Sequence, residues 1–248
     1  MKLGDSVRMV RAPNPSVLTL EGTNTYIVGT IVIDPGPNIP EHLEAVLDEA
    51  PGVSLVVLTH AHPDHAQGAA TFADMARAPL ASFRDGIADG QVLGEDGVTL
   101  RALHTPGHSS DHLCFFLEEG RALFSGDHVL GRGTSVVAHP DGDMAAYMAS
   151  LERVRALQPA RVYPGHGPVV EDPAGVLDHY IAHRLEREQQ VLDAMDAGAT
   201  TVGEMVKRIY ADYPVALHPA AGLSVMAHLE KLRHEGRAHS GDDGRWTR

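Results

Sequence analysis

The chain has 248 residues, 43% of them hydrophobic and 21% charged, an ordinary balance for a soluble globular protein built as one large domain or as a core domain with a small one. It contains no run of about eighteen apolar residues, which sets a membrane helix aside, and its single cysteine, Cys114, excludes an internal disulfide. The formal net charge is −13, with 11 basic and 22 acidic side chains in residues 1–174 and 9 and 11 in residues 175–248, so the chain is a poor nonspecific binder of nucleic acid.

The opening segment, MKLGDSVRMVRAPNPS, lacks the apolar stretch of a secretory signal, and with the lone cysteine this leads to the expectation of a cytoplasmic protein. Short β-type runs follow at residues 7–10, 25–28 and 31–33, the last two joined through Gly29-Thr30. Asp34-Pro35-Gly36-Pro37 reads as a turn. Residues 40–50 carry Leu43, Val46 and Leu47 at helical spacing and stop at Pro51-Gly52. The apolar run 53–58 predicts a buried strand, and 66–77 a helix. The middle of the chain is β-rich, with strands expected at 80–83, 91–93, 98–103, 112–117, 122–124 and 129–130. A helix is expected over 141–157 and a short strand over 161–163. Asp172-Pro173 looks like a helix start, and the helix runs to about Met195 with Leu177, Ile181, Leu185, Leu192 and Met195 on its apolar side. Helices over 200–211 and 219–235 and a polar hairpin around GDDG complete the order of a small winged-helix unit.

Residues 58–70, LTHAHPDHAQGAA, put His60, His62, Asp64 and His65 on one short loop after a predicted strand. Three further stretches each place a ligand-type residue beside glycine where the backbone turns: His108 in HTPGHSSDH, Asp127 in FSGDHVL and His166 in YPGHGPVV. Glycine lets the main chain approach a small ion closely. Along an extended loop His60 and His62 share a side, and Pro63 pushes His62 toward that extended conformation. Imidazole nitrogen with carboxylate oxygen is the donor set zinc takes when no thiolate is available. Two groups of ligands point to two metals.

H-x-H-x-D-H followed by His108, Asp127 and His166 resembles the metallo-β-lactamase superfamily. That resemblance implies a four-layer αββα sandwich, with His60, His62 and His108 on one metal, Asp64, His65 and His166 on the other, and Asp127 bridging them. Asp64 and Asp127 would be the catalytic carboxylates. The stretches LTLEGTNTYIVG, HTPGHSSDH, SGDHVLGRGTSVV, YPGHGPVV and HYIAHRLEREQQVL are similar to the beta-lactamase-like protein 2 group and its bacterial relatives, from about Pro15 to Gly236. It implies a catalytic domain over 1–174 and a winged-helix-like domain over 175–248. Two Zn2+ are expected, with manganese or iron suited to the oxygen-rich second site.

The resemblance points to cleavage of single-stranded RNA. The alternative is a glyoxalase II-like thioesterase, or a lactonase or esterase on a small molecule, with weak β-lactamase activity on the side. A reading from another class is a winged-helix regulatory module with a vestigial hydrolase domain; the complete ligand set argues against it. The substrate is thus a small molecule or single-stranded RNA, with no membrane partner and no statement on oligomeric state. His104, His112, His128, His139 and His183 read as structural or supporting residues, and Cys114 as core. Thr23, Asn24 and Thr25 either line a pocket rim or form a polar turn. Residues 131–134 either form a rim loop or a plain connection.

Overall fold

The computed structural model describes residues 7–50, 52–94 and 97–248 and divides them into two compact units. The helix-stopping Pro51 and Met1–Ser6 of the opening segment lie outside the described residues.

The first unit holds two five-stranded sheets. In one, β1 (Val7–Arg11), β2 (Asn24–Val28) and β3 (Ile31–Ile33) run antiparallel, and β4 (Leu55–Val57) and β5 (Leu80–Ala81) continue parallel to β3. In the other, β6 (Val92–Leu93), β7 (Leu100–His104), β8 (Leu113–Leu117) and β9 (Ala122–Gly126) are antiparallel, and β10 (Arg161–Pro164) joins β9 in parallel. Every residue of β2, β3, β8 and β9 is buried; β3 and β8 are unbroken apolar runs, and β2 and β9 bury Asn24, Thr25 and Ser125 beside theirs. Between the sheets pack Tyr26, Ile33 and Val57 from one side and Leu113, Phe115 and Phe124 from the other. The outer face of the first sheet presents Ile27, Val32 and Val56, and these are covered by Leu43 and Val46 of α1 (Pro40–Glu49) and Phe72 and Ala73 of α3 (Ala69–Ala76). A single turn, α2 (Pro63–Ala66), interrupts the histidine loop ahead of α3.

The second unit contains α4 (Met144–Ala156), most of α5 (Pro173–Asp196), α6 (Val202–Ile209), α7 (His218–His234) and the hairpin β11 (His239–Ser240) and β12 (Trp246–Thr247). Its core joins Val191 and Leu192 of α5, Met205 of α6, Val225 and Leu229 of α7, and Trp246.

Four expectations are corrected. Residues 129–130 form no strand: Ser125 Oγ donates to Val129 O at 2.7 Å, closing a turn just after β9. Helix α4 starts at Met144 rather than 141, because Asp141 accepts from Ser110 Oγ at 2.6 Å while Asp143 Oδ1 accepts from Ala146 N at 2.9 Å, the bond an N-cap makes. Leu185 is 52% exposed, since the buried stripe of α5 passes through Tyr180, Arg184, Arg187 and Glu188 instead. Helix α6 starts at Val202, where Thr201 and Glu204 form a capping box.

Candidate metal centre

Strand β3 leads into Asp34, and β4 leads into Thr59 and His60. The parallel register that pairs Ile33 with Val57 sets these segments side by side. Asp34, 2% exposed, accepts Thr59 N–H on Oδ1 at 2.7 Å and the Thr59 hydroxyl on Oδ2 at 2.6 Å. Oδ2 also lies 2.8 Å from His65 Nδ1. The Thr59 hydroxyl, having given its proton to Asp34, accepts from His60 Nδ1 at 2.9 Å. One carboxylate therefore places a proton on Nδ1 of both His60 and His65, directly or through Thr59, and reserves each Nε2 as the atom that would bind a metal. No local pattern around Asp34 signals this; it reads as the start of a turn.

Past His60 the chain is extended, with His62 at φ −63° and ψ 143°, as Pro63 demands. His62 Nδ1 comes 3.0 Å from His60 Nε2, on one side of the loop as expected. Pro63 opens α2, which brings Asp64 and His65 round to a second position. There His65 Nε2 lies 3.2 Å from His166 Nε2, 3.3 Å from Asp127 Oδ1 and 3.6 Å from Asp64 Oδ2. His166 Nε2 lies 3.1 Å from Asp64 Oδ2 and 3.3 Å from Asp127 Oδ1. The edge of a tetrahedron around an ion with ligands at about 2.1 Å is about 3.4 Å. These five separations among two nitrogens and two carboxylate oxygens are close to the edges of a zinc-sized cage. Asp127 is also grouped with His60 and His62, their ligand atoms lying within 4.8 Å of one another. Six of the seven expected residues meet in the first unit. His108 stands on the 106–110 loop of the second unit, where Nδ1 meets Val136 O at 2.6 Å, leaving Nε2 as its lone-pair atom.

The surroundings hold these side chains in place. His112 Nε2 accepts Asp127 N–H at 3.2 Å while its Nδ1 faces Thr105 Oγ1 at 2.9 Å, so this histidine supports the Asp127 turn, as read from the sequence. Ser135 Oγ donates to Asp127 O. Asn24 resolves an alternative left open above: it is 1% exposed, neither rim nor turn, and its Nδ2 donates to Pro164 O at 3.0 Å and Gly167 O at 2.9 Å, bracing the His166 loop. Thr23 forms a bridge to His166, and Thr25 Oγ1 donates to Asp34 O at 2.7 Å. A Cβ at Gly165 would meet His65 Cε1 at 2.7 Å and Asp127 Oδ1 at 2.8 Å, so this turn admits only glycine. Residues 131–134 carry no strand or helix, and the Gly131 backbone packs on that of Pro168. Cys114 is fully buried, as expected.

The electrostatics suit a cation. Burial alone would raise the Asp127 carboxyl, but the charges and hydrogen bonds of His65 and His166 outweigh it and hold the group well below the usual carboxylate range. Burial opposes a charge on His166 too, yet hydrogen bonds to Asp127 and Asp64 lift it to about 9. His65 is likewise pushed well up, by Asp127 and Asp34 against its burial. Protons on these nitrogens do what a divalent ion would do better: neutralise converging carboxylates.

Residues 18–88 and 85–166 match the model of the metallo-beta-lactamase superfamily, and residues 201–246 match the beta-lactamase associated winged helix domain. The chain is 36% identical over 259 residues to the beta-lactamase-like protein 2 homolog of Caenorhabditis elegans, covering 95% of this chain and 86% of that one. It is 37% identical over 239 residues to an atrochrysone carboxyl ACP thioesterase of Cryptosporiopsis sp., covering 84% and 73%. The crystal structure of a metallo-beta-lactamase family protein from Thermus thermophilus superposes with a TM-score of 0.84 over 100% of both chains, at 24% identity. Among the described residues no helix is long and apolar enough to cross a membrane.

Proposed function

The chain belongs to the metallo-β-lactamase superfamily, a family of hydrolases, and from that premise we propose that it is a dinuclear zinc enzyme that cleaves an acyl thioester or ester of a small substrate. The observation that carries the metal reading is that His65 Nε2 and His166 Nε2 lie 3.2 Å apart and each lies 3.1–3.6 Å from a carboxylate oxygen of Asp64 and of Asp127. In this proposal these four residues hold one ion, and His60, His62 and His108 hold the second with Asp127 shared. Two divalent ions supply Lewis acidity toward the scissile carbonyl and acidify water at neutral pH. Zinc suits the nitrogen-rich group best; manganese or iron suits the carboxylate-rich one. We place the protein in the cytoplasm on its single cysteine.

The charge of the site favours a thioester. Asp64 and Asp127 are held below the usual carboxylate range even without metal, and as ligands of a divalent ion both would stay ionised, so neither would carry a proton to hand to a leaving group. Asp64 instead orients the attacking water as a hydrogen-bond acceptor. A thiolate leaves without protonation far more readily than an alkoxide, whose parent alcohol is a much weaker acid. The thioesterase relative is in keeping with this, and so is a net charge of −13, which disfavours a polyanionic substrate. Cleavage of single-stranded RNA is the second reading. It rests on the resemblance to the beta-lactamase-like protein 2 group, with which 95% of the chain aligns.

The test is a panel of substrates offered to zinc-loaded protein: an acyl thioester, a lactone, a β-lactam, and single-stranded and duplex RNA. Metal analysis should give about two equivalents per chain. Thioester turnover that Asp127→Ala abolishes is the expected result, together with selective loss of the ion held by His65 and His166. Salt-sensitive cutting of single-stranded RNA by wild type but not by the variant, without thioester turnover, would transfer the case to RNA. One metal equivalent in wild type would end the dinuclear reading.

A further inference from the structure

Between Tyr180 and Val191 the buried stripe of α5 turns polar: Arg184 is 4% exposed, Arg187 8% and Glu188 6%. Glu188 already has cations on both oxygens, Lys231 Nζ at 2.6 Å and Arg237 Nη1 at 2.7 Å. Arg187 therefore brings its charge inside against neutral groups. Its Nη1 donates to Gln190 Oε1 at 2.7 Å, its guanidinium carbon lies 4.3 Å from the centre of the Tyr210 ring, and its Nε has no hydrogen-bond partner. The guanidinium of Arg184 lies 5.3 Å from the centre of the Tyr147 ring. On α7, His228 is 1% exposed and neither ring nitrogen has a hydrogen-bond partner; His183, half-buried one turn before Arg187, has a buried Nδ1 that also lacks one. Interior cations are costly unless a counter-charge and hydrogen bonds offset their desolvation. A ring face does this less well than an anion. The donors among these unpartnered nitrogens, the Arg187 Nε–H and the N–H of a neutral imidazole, are what an anion would satisfy.

We propose that Arg184, Arg187, His183 and His228 form a binding site for a small oxyanion of the phosphoryl class, separate from the hydrolytic centre. The arginine fork matches the oxygens of a phosphoryl group, and guanidinium charge offsets the charge of the anion. The imidazoles are held neutral in the protein, chiefly by burial and then by the two arginines, with His183 brought down to about 4 and His228 to about 3. A bound anion would offset that repulsion and raise both.

The experiment titrates inorganic phosphate into the full-length, metal-loaded chain, by calorimetry, against chloride of equal ionic strength. Saturable binding is expected, with Tm raised by about 4 °C at tenfold excess over Kd. Arg187→Gln should weaken binding at least tenfold, and His228→Gln should do the same in case the first variant fails to fold. Asp127→Ala should keep the response, because the hydrolytic centre is not the site. Uridine 3′-phosphate serves as a second ligand: equal affinity assigns the site to a phosphoryl group on a larger molecule, and binding of inorganic phosphate alone assigns it to the free ion. No saturable heat would overturn the proposal. So would a response that Asp127→Ala removes and Arg187→Gln preserves, since phosphate would then be at the metals.

Discussion

Asp34 governs two ligands from outside the cage. It accepts from His65 Nδ1 and, through Thr59, from His60 Nδ1. Replacing such a partner weakens metal affinity about 10–100-fold. Asp34→Ala should show that loss in competition with a chromophoric chelator. Asp34→Asn should not rescue it: an amide NH2 facing His65 Nδ1 would force the ring proton to Nε2, the atom that must bind metal. Affinity in the asparagine variant close to wild type would refute this assignment. Gly165 tests the cage from the other side. Its φ is not in the left-handed region, so the effect of alanine there is purely steric, a methyl group 2.7 Å from His65 Cε1 and 2.8 Å from Asp127 Oδ1. Displacement of reacting groups by about 1 Å lowers rates about 100-fold. Gly165→Ala should lose turnover of that order while far-UV circular dichroism stays unchanged.

Among the elements, α6 depends on its first turn. Thr201 Oγ1 accepts from Glu204 N at 3.3 Å, and Glu204 Oε2 accepts from Thr201 N at 3.1 Å. Loss of such a cap costs about 1 kcal/mol. Thr201→Ala should lower thermal stability by that amount and Thr201→Ser should restore it, measured by calorimetric unfolding; an unchanged Tm would mean that packing of Met205 and Val206 alone holds the helix. Helix α5 shows the limit of periodicity. Helical spacing puts Leu185 on the apolar side, but the helix turns Arg184 and Arg187 inward and leaves Leu185 half exposed. A sequence marks arginine as solvent-seeking, and nothing local shows that tyrosine rings from α4 and the end of α6 receive these two.

For the molecule as a whole, the buried histidines of the second unit predict acid sensitivity. His228 and His183 have folded values of about 3 and about 4, below the unfolded value near 6.5, because burial and neighbouring cations disfavour their charge. Between those limits the unfolded chain binds more protons than the folded one, so stability rises with pH. Their contribution is complete above about pH 6.5 and is lost as the pH falls toward 4 and 3. Tm followed from pH 7 to pH 4 in phosphate-free buffer should fall less steeply in His228→Leu than in wild type. Parallel slopes would show that His228 is not the group responsible.

The sequence by itself determined the order of strands and helices, the winged-helix signature at the C-terminus, and the motifs bearing His60, His62, Asp64, His65, His108, Asp127 and His166. These were legible because each rests on local chemistry: apolar runs mark buried strands, proline and glycine mark turns, and histidines two and three positions apart converge on one loop. Tertiary structure alone decided what surrounds them. Asp34, Thr59 and His65 meet because β3 and β4 pair in one parallel register, and Asn24 reaches the His166 loop across more than a hundred residues of chain. Such contacts follow from how sheets stack and pair, and spacing along the chain carries no record of them. The inward arginines of α5 belong to the same class, since whether a charge is buried depends on what packs against it.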